Sequence, residues 1–352
     1  MLKFDSISHH YGRQQALTEV SFSAAQGAIT CLIGPSGCGK STLLRLAAGL
    51  MPLQSGYITL NDDLMAKPGL HVPPEKRPIG LVFQEGALFP HLSVRHNVGF
   101  GLKGSGKDAR VDQLLADVNL SQFADRYPHS LSGGQRQRVA LARAIAPSPR
   151  ALLFDEPYAN LDMQLRRVLR DQARQLIQRT DSVGIFVTHD PDEVMAIADH
   201  VVVLEQGQVV QQGSPRSLYD EPQTLGVAQL FGHAQTVKAR VKDNHLETAF
   251  GVWPLSCLAQ PLTGSGDITL VVRPERLTIT PASEGPPIAE VRAADNADML
   301  EIEGNESQAP LKVLCERPHE IKSQDRVSVM PHDSSVFAEI DHKALENKND
   351  SY

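Results

Sequence analysis

The sequence predicts an α/β protein with a largely parallel sheet, followed by a second, all-β domain. Three observations carry this expectation. Apolar, β-branched runs recur at 29–33, 79–83, 151–154 and 183–187. Stretches with helical spacing separate them. Beyond about residue 232 the helical periodicity fades, and short strand-like pieces divided by Gly and Pro take over.

The elements follow in chain order. Residues 1–25 alternate, as in Val20-Ser21-Phe22-Ser23, which predicts short strands. The 29–33 run leads into a glycine-rich loop and a helix over 41–50, ending at Gly49-Leu50-Met51-Pro52. A strand at 79–83 follows the proline-rich segment 73–78. Val111, Leu114, Leu115 and Val118 predict a helix over 108–122, and a further helix over 134–146 stops at Pro147. After the 151–154 strand, a helix over 163–179 places Leu165, Val168, Leu169, Leu176 and Ile177 on one face. The 183–187 strand and a helix over 191–198 come next, then a hairpin from 201–204, Gly207 and 209–210. In the second domain, strands are expected at 237–241, 268–272, 311–314, 327–329 and 336–340, as in a small barrel. The expected domains are 1–232 and 233–342, with a frayed polar tail at 343–352.

Composition narrows the function classes. Hydrophobic residues make up 41% of the 352 and charged residues 21%, as in a globular chain. The net charge of −7 argues against general nucleic-acid or anionic-lipid binding. The four cysteines, Cys31, Cys38, Cys257 and Cys315, form no C-x-x-C pair, so reduced cytosolic thiols are expected. No run reaches the ~18–20 apolar residues that span a bilayer. The N-terminal stretch has no apolar signal core. The expectation is a chain neither secreted nor integral to a membrane, which must dock onto other chains if it works there.

Gly34-Pro35-Ser36-Gly37-Cys38-Gly39-Lys40-Ser41 fits the phosphate-loop pattern G-x-x-x-x-G-K-S/T, with an apolar strand before it and a helix after it. The glycines let backbone N–H groups converge on phosphate oxygens, and the helix start adds partial positive charge. Lys40 brings a full charge for the β- and γ-phosphates, and Ser41 a hydroxyl for Mg²⁺. Cys38 is read as a tolerated small side chain whose alkylation would obstruct the loop. Asp155 ends a buried strand, where such a loop holds its Mg²⁺, and Glu156 beside it can orient and deprotonate a water. Leu131-Ser132-Gly133-Gly134-Gln135 opens a helix in a second anion-binding geometry. One chain already has a complete phosphate loop, so a second phosphate-seeking helix makes sense against the nucleotide of another copy.

With the phosphate loop and Phe154-Asp155-Glu156-Pro157 around it, this Leu-Ser-Gly-Gly-Gln run resembles the signature set of ABC ATPases. The resemblance covers residues 1 to about 230. It implies an ATPase domain with a mixed sheet and a helical subdomain, binding ATP and Mg²⁺ through Tyr11, 34–41 and Thr42. Tyr11 would stack on adenine, Gln84 would sense the Mg²⁺ and γ-phosphate, and His189 would contact the γ-phosphate. Ser41, Gln84 and Asp155 form the implied metal set, and Glu156, His189, Gln84 and Lys40 the implied catalytic set. Ser132, Gly133, Gly134, Gln135 and Asp162 would act across a homodimer. Val271-Val272-Arg273-Pro274-Glu275-Arg276-Leu277 resembles the OB-type regulatory barrel of ATPases that serve importers with periplasmic binding proteins.

Residues 84–92, Arg126-Tyr127-Pro128-His129 and Gln164-Leu165-Arg166-Arg167 are most similar to the ferric-iron import ATPases. That implies transmembrane permease partners and a peripheral place on the cytoplasmic face of the inner membrane. Leu88, Phe89 and Leu92 either line a permease groove or pack locally. Sulfate, polyamine, thiamine, phosphonate or sugar import remains an alternative substrate reading. A non-transport ABC protein acting on nucleic acid or ribosomes is a competing class, disfavoured by the single ATPase domain, the missing heptad run and the acidic balance. A switch without turnover is a further alternative, disfavoured by Glu156 and His189. Residues 282–310 are acidic and turn-rich, and Glu316, His319 and Glu320 read as a solvated face, not a metal site.

Overall fold

The computed structural model describes residues 1–83, 87–158, 163–259, 266–281, 289–296, 299–304, 310–314, 326–333 and 335–338. The chain divides into two compact units, Met1–Asp220 and Glu221–Tyr352. In the first unit the strands and helices run in this order: β1 (Leu2–Tyr11), β2 (Gln14–Ala24), β3 (Ile29–Ile33), α1 (Lys40–Ala48), β4 (Ser55–Leu60), β5 (Asp63–Lys67), β6 (Leu70–His71) and β7 (Ile79–Val82). Then come α2 (Val94–Val98), α3 (Lys107–Asp117), α4 (Gly133–Ile145), β8 (Ala151–Asp155), α5 (Met163–Thr180), β9 (Val183–Val187), α6 (Pro191–Ile197), β10 (His200–Glu205), β11 (Gln208–Gly213) and α7 (Pro215–Asp220).

Two sheets result, ordered β2-β1-β4-β5-β6 and β11-β10-β3-β9-β8-β7. The first is antiparallel, and the second is parallel except for β11. Every residue of β3 and β9 is buried, the signature of central parallel strands covered on both faces. Strand β1 instead alternates, with Leu2, Phe4 and Ile7 inward. These side chains join Leu17, Val20 and Phe22 of β2, Leu43, Leu44 and Leu46 of α1, and Leu32, Leu153 and Ile185 of the other sheet in one core. The loop ahead of α1 is therefore mounted on a helix gripped by apolar packing. Arg77 closes the other end of α1, donating Nη1 to Leu46 O (2.7 Å) and Ala47 O and Nε to Val72 O (2.7 Å). It places a cation on the negative end of the helix dipole, and burial pulls its guanidinium down to about 10.

Several expectations change in detail. Residues 1–25 form two long strands, of 10 and 11 residues, with bulges after Phe4 and Ile7. The meander β4–β6 carries little unbroken alternation, and the sequence reading does not contain it. The helix expected to 122 stops at Asp117 because Asn119 turns left-handed, at φ 54. On α5 the buried stripe runs Leu169, Ala173 and Ile177, four residues apart, while Val168 is 48% exposed. None of the helices among the described residues is long and apolar enough to cross a membrane.

The second unit begins with α8 (Leu225–Leu230), then β12 (Gln235–Lys242), β13 (His245–Thr248), β14 (Gly251–Pro254) and β15 (Gly266–Val272). It continues through β16 (Leu277–Pro281), β17 (Ala289–Asn296), β18 (Met299–Gly304), β19 (Leu311–Leu314), β20 (Arg326–Pro331) and β21 (Phe337–Ala338). These strands make two five-stranded sheets, β14-β13-β12-β15-β21 and β16-β20-β17-β18-β19. In the second of them the end strands β16 and β19 approach one another, so the sheet curls as in a barrel. Val237, Leu246, Trp253 and Leu270 of one sheet meet Leu277, Leu300, Val313 and Val327 of the other in one core. Part of the acidic stretch 282–310 is ordered as the hairpin β17–β18. The tail 343–352 and Glu316, His319, Glu320 and Cys315 lie outside the described residues.

The division at 220 precedes the change of character near 232. Buried Arg273 explains why: it donates Nη1 to Ala228 O (3.1 Å) and Phe231 O (3.3 Å), binding α8 to the β-rich unit. The helical spacing of α8 reads locally like the segment before it, whereas its partners come from far along the chain.

Trp253 is the chain's single tryptophan, and its indole N–H donates to Val329 O (2.7 Å) across the two sheets. Replacing it by Phe removes that buried hydrogen bond and opens space in the core. Trp253→Phe is expected to destabilise the β-rich unit by about 2 kcal/mol or more, read by urea unfolding followed with circular dichroism.

Candidate functional site

Strands β3, β9 and β8 are neighbours and parallel, so their C-terminal ends share one edge. The loop 34–39 leaves β3 there, Asp155 and Glu156 end β8, and Thr188-His189 follow β9. This is where α/β sheets bind ligands. The topology thus gathers residues as far apart in the chain as Gly34 and His189, 155 positions.

The loop conformation requires glycine at two points. Gly34 has φ 153, and a Cβ on it would stand 2.0 Å from Leu204 O. Gly39 has φ 103, and a Cβ would meet Leu17 Cδ2 at 2.5 Å and Ala16 O at 2.7 Å. Inside the loop, buried Lys40 donates Nζ to Gly34 O (2.7 Å) and Pro35 O (2.9 Å) and lies 3.5 Å from Cys38 Sγ. Cys38 itself is buried and free of any disulfide. Pro35 and Ser36 form the loop's outer turn, closed by Cys38 N donating to Pro35 O (3.3 Å). No side chain caps α1 and no acid occupies its first turn, so its leading amides face the loop without competition from a built-in anion.

Ser41 Oγ donates to Asp155 Oδ1 (3.0 Å). A hydroxyl and a carboxylate oxygen side by side, next to a phosphate-shaped loop, fit a hard divalent cation such as Mg²⁺. Tyr11 is 47% exposed, its ring meets His9 edge-on at 5.0 Å and its hydroxyl lies 3.3 Å from Thr42 Oγ1, so a half-exposed aromatic ring stands beside the loop. Glu156 takes the left-handed conformation, at φ 45, with its N–H donating to Val187 O (3.0 Å). Such a conformation costs free energy and is retained at sites where it aims a side chain. Its Oε1 lies 3.4 Å from His189 Nδ1, in a cleft also lined by Arg166, Thr188, Asp190 and Glu193.

Ser132 begins α4 with a complete capping box. Its Oγ accepts from Gln135 N (3.3 Å), and Gln135 Oε1 accepts from Ser132 N (2.9 Å). Ser132 and Gly133 are exposed, Gln135 is half-buried and Gly134 is buried. This helix packs on β7, α2, α3 and α5, and its exposed start is available to another molecule. Gln84 and Asp162 lie outside the described residues. The structure therefore joins Tyr11, the loop, Asp155, Glu156 and His189 at one edge, and holds Ser132–Gln135 on a separate helical layer.

Sequence reasoning missed Thr188 and Glu193. Thr188 hydrogen-bonds Glu193 through its hydroxyl, both are buried, and burial pushes the Glu193 carboxyl up. The available signal was Asp190-x-x-Glu193, the spacing of a helix-capping box. Asp190 does cap α6, accepting from Asp192 N (2.9 Å) and Glu193 N (3.3 Å), but the Glu193 carboxyl turns inward to Thr188.

The pattern of the ABC transporter family matches residues 17–159. The chain is 38% identical to the Fe(3+) ions import ATP-binding protein FbpC 2 of Haemophilus influenzae, over 81% of each chain. The chain belongs to the ATP-binding proteins of ABC transporters. It is also 39% identical to the FbpC protein of Escherichia coli O157:H7 over 78% of both chains. Among solved ABC structures, cbiO1 from Clostridium perfringens, part of the complex cbiONQ, superposes with a TM-score of 0.57 at 30% identity. The match covers 62% of this chain and 90% of that one. A dimeric ATP-binding cassette, MJ0796 bound to ADP and phosphate, gives 0.55 at 28% identity, over 61% and 99%.

In this ABC protein the steric demand at Gly39 is testable apart from catalysis. Gly39→Ala forces a side chain against Leu17 and Ala16 O in an unfavourable conformation. It is expected to lower stability by about 1–3 kcal/mol in thermal unfolding and to weaken nucleotide binding at least tenfold, as read by a fluorescent ATP analogue.

Proposed function

We propose that this chain is the ATP-hydrolysing subunit of an importer for ferric iron. It would work as a head-to-tail homodimer beneath transmembrane permease subunits, on the cytoplasmic face of the inner membrane. The observation that carries the reading is the identity of 38–39% over roughly four-fifths of the chain with proteins named for Fe(3+) import, together with the assembled loop, Asp155, Glu156 and His189. Iron itself would never touch this chain, so the substrate rests on kinship, and a periplasmic binding protein would deliver it to the permease.

The residues divide the work as follows. Tyr11 offers its ring to the base, and the loop amides of 34–41 with Thr42 hold the phosphates. Lys40 is pre-positioned by two loop carbonyls, which it can exchange for phosphate oxygens. Ser41, Asp155 and Gln84 would hold Mg²⁺, which neutralises phosphate charge when bound. Glu156, aimed by its strained backbone, takes the proton of the attacking water, a role worth about 10²–10⁴ in rate. His189 sits against Glu156 and would contact the γ-phosphate. Ser132, Gly133, Gly134, Gln135 and Asp162 of one copy would complete the site of the other. The exposed, acid-free start of α4 supports this, as a helix terminus that attracts anions.

The permease side is supported by the segment after Gln84. Phe89, half-buried, lies 4.3 Å from the ring of Phe100, which is 61% exposed, and Leu88 and Leu92 are half-buried beside it. An aromatic pair flanking α2, with Phe100 exposed, suits a docked helix of another chain.

Glu156→Gln keeps the shape of the side chain but removes its basicity. In ATP it is expected to accumulate as a dimer on a sizing column, while the native chain cycles back to monomer; a monomeric variant counts against the reading. Lys40→Ala tests the substrate. In cells lacking other iron importers, it is expected to abolish uptake of labelled ferric iron and to spare sulfate, polyamine and thiamine uptake. Unchanged iron uptake would move the substrate to another small solute.

A further inference from the structure

We propose that Glu193 is a positioning residue for His189, acting through the hydroxyl of Thr188. The inference rests on the ATPase reading, since it concerns the geometry of hydrolysis.

His189 stands between two anchored residues. Thr188 donates its backbone N–H to Leu32 O (3.2 Å), which ties it to β3 beneath the phosphate loop. Asp190 caps α6 and forms an ion pair with Arg166 Nη1 of α5 (2.9 Å). The Thr188 hydroxyl joins the two anchors. Its proton goes to Glu193 Oε2, and its oxygen accepts the backbone N–H of Asp190 (3.1 Å). A hydroxyl has one proton to place. Glu193 therefore decides how that hydroxyl is turned, and hence whether its lone pair meets Asp190. The two residues flanking His189 are thus joined to each other through the Thr188 hydroxyl.

The cost of the arrangement argues for a purpose. A carboxylate in the first turn of α6 would be favoured in water, near the positive end of the helix. Glu193 instead turns into the cleft that holds Glu156 and His189, and is nine-tenths buried. Burying a carboxyl is unfavourable unless it gains a partner. Its carboxyl gains the Thr188 hydroxyl as a hydrogen-bond partner, and the Arg166 and Arg170 guanidinia nearby favour its charged form. The exposed His189 ring reaches Glu156 at 3.4 Å, a loose contact that depends on where the turn holds it. A misplacement of about 1 Å at a reacting group can slow a reaction about 10²-fold.

The test is phosphate release from Mg-ATP by the full chain. Glu193→Ala is expected to lower kcat about tenfold while KM for ATP stays within about twofold. Glu193→Gln should restore most of kcat, because its amide oxygen accepts the same O–H. Thr188→Val should reproduce the alanine result, and it carries the comparison if Glu193→Ala fails to fold. In a His189→Ala background, followed under single turnover, Glu193→Ala should cost nothing further. The proposal is overturned if Glu193→Ala is as active as the native chain. It is equally overturned if the loss persists undiminished without His189, or if KM rises while kcat holds. A native chain that releases no phosphate would overturn the ATPase reading as well, and that control separates the two failures.

Discussion

A buried ammonium sets the form of this molecule. Lys40 lies at the first position of α1, almost wholly removed from water, and a charge there is tolerable only if oxygen atoms surround it. The loop supplies them by wrapping back so that the carbonyls of Gly34 and Pro35 face the ammonium. That wrap demands positive φ at Gly34 and Gly39, and it brings the loop against Leu204 of β10 and Ala16–Leu17 of β2. The antiparallel sheet therefore has to approach the parallel one with α1 in between. The shared core around Leu43, Leu44 and Leu46 follows from that geometry.

The remaining groups reach the same place for a topological reason. Parallel strands align their ends, and β8-β9-β3 are contiguous, so one edge collects the residues that follow each strand. Asp155 is the last residue of β8 and points to Ser41 on α1, whereas Glu156 breaks out of the strand in a left-handed turn toward His189. Adjacent carboxylates thus diverge, one to the loop hydroxyl and one to the histidine cleft. Sheet geometry alone would send Asp155 and Glu156 to opposite faces; the positive φ of Glu156 decides the direction it takes.

What could be seen in the sequence depended on how local each signal was. The phosphate loop and the buried strands were legible because each is a contiguous run whose physics is decided within a few residues. The meander β4–β6 was not, because its burial pattern is broken by bulges and turns at Asn61, Asp62 and Gly69. Val168 looked apolar and therefore inward, yet α5 turns Leu169, Ala173 and Ile177 inward, a choice made by the sheet it covers. The unit boundary escaped for the same reason, since Arg273 claims α8 from more than forty residues away. Glu193 was hidden because a capping spacing and an inward-turned carboxyl look identical on paper.

One helix links the exposed anion-ready start at Ser132 to the aromatic segment at 87–100. Thirteen residues of α4 span about 20 Å at 1.5 Å per residue. At its far end Arg143 donates Nη1 to Ala87 O (2.8 Å) and lies over the Phe89 ring at 5.4 Å. Burial lowers the guanidinium pKa, so its cation–π contact acts in a partly dry setting, where such contacts are strongest. Phe89 is fixed in turn by buried Asn97, which accepts from its N–H (2.9 Å) and donates to its carbonyl (3.1 Å). A shift of α4 as a body would carry Ala87 and Phe89 along. In the proposed dimer, a displacement of α4 at its nucleotide end would thus reach the segment proposed to dock the permease.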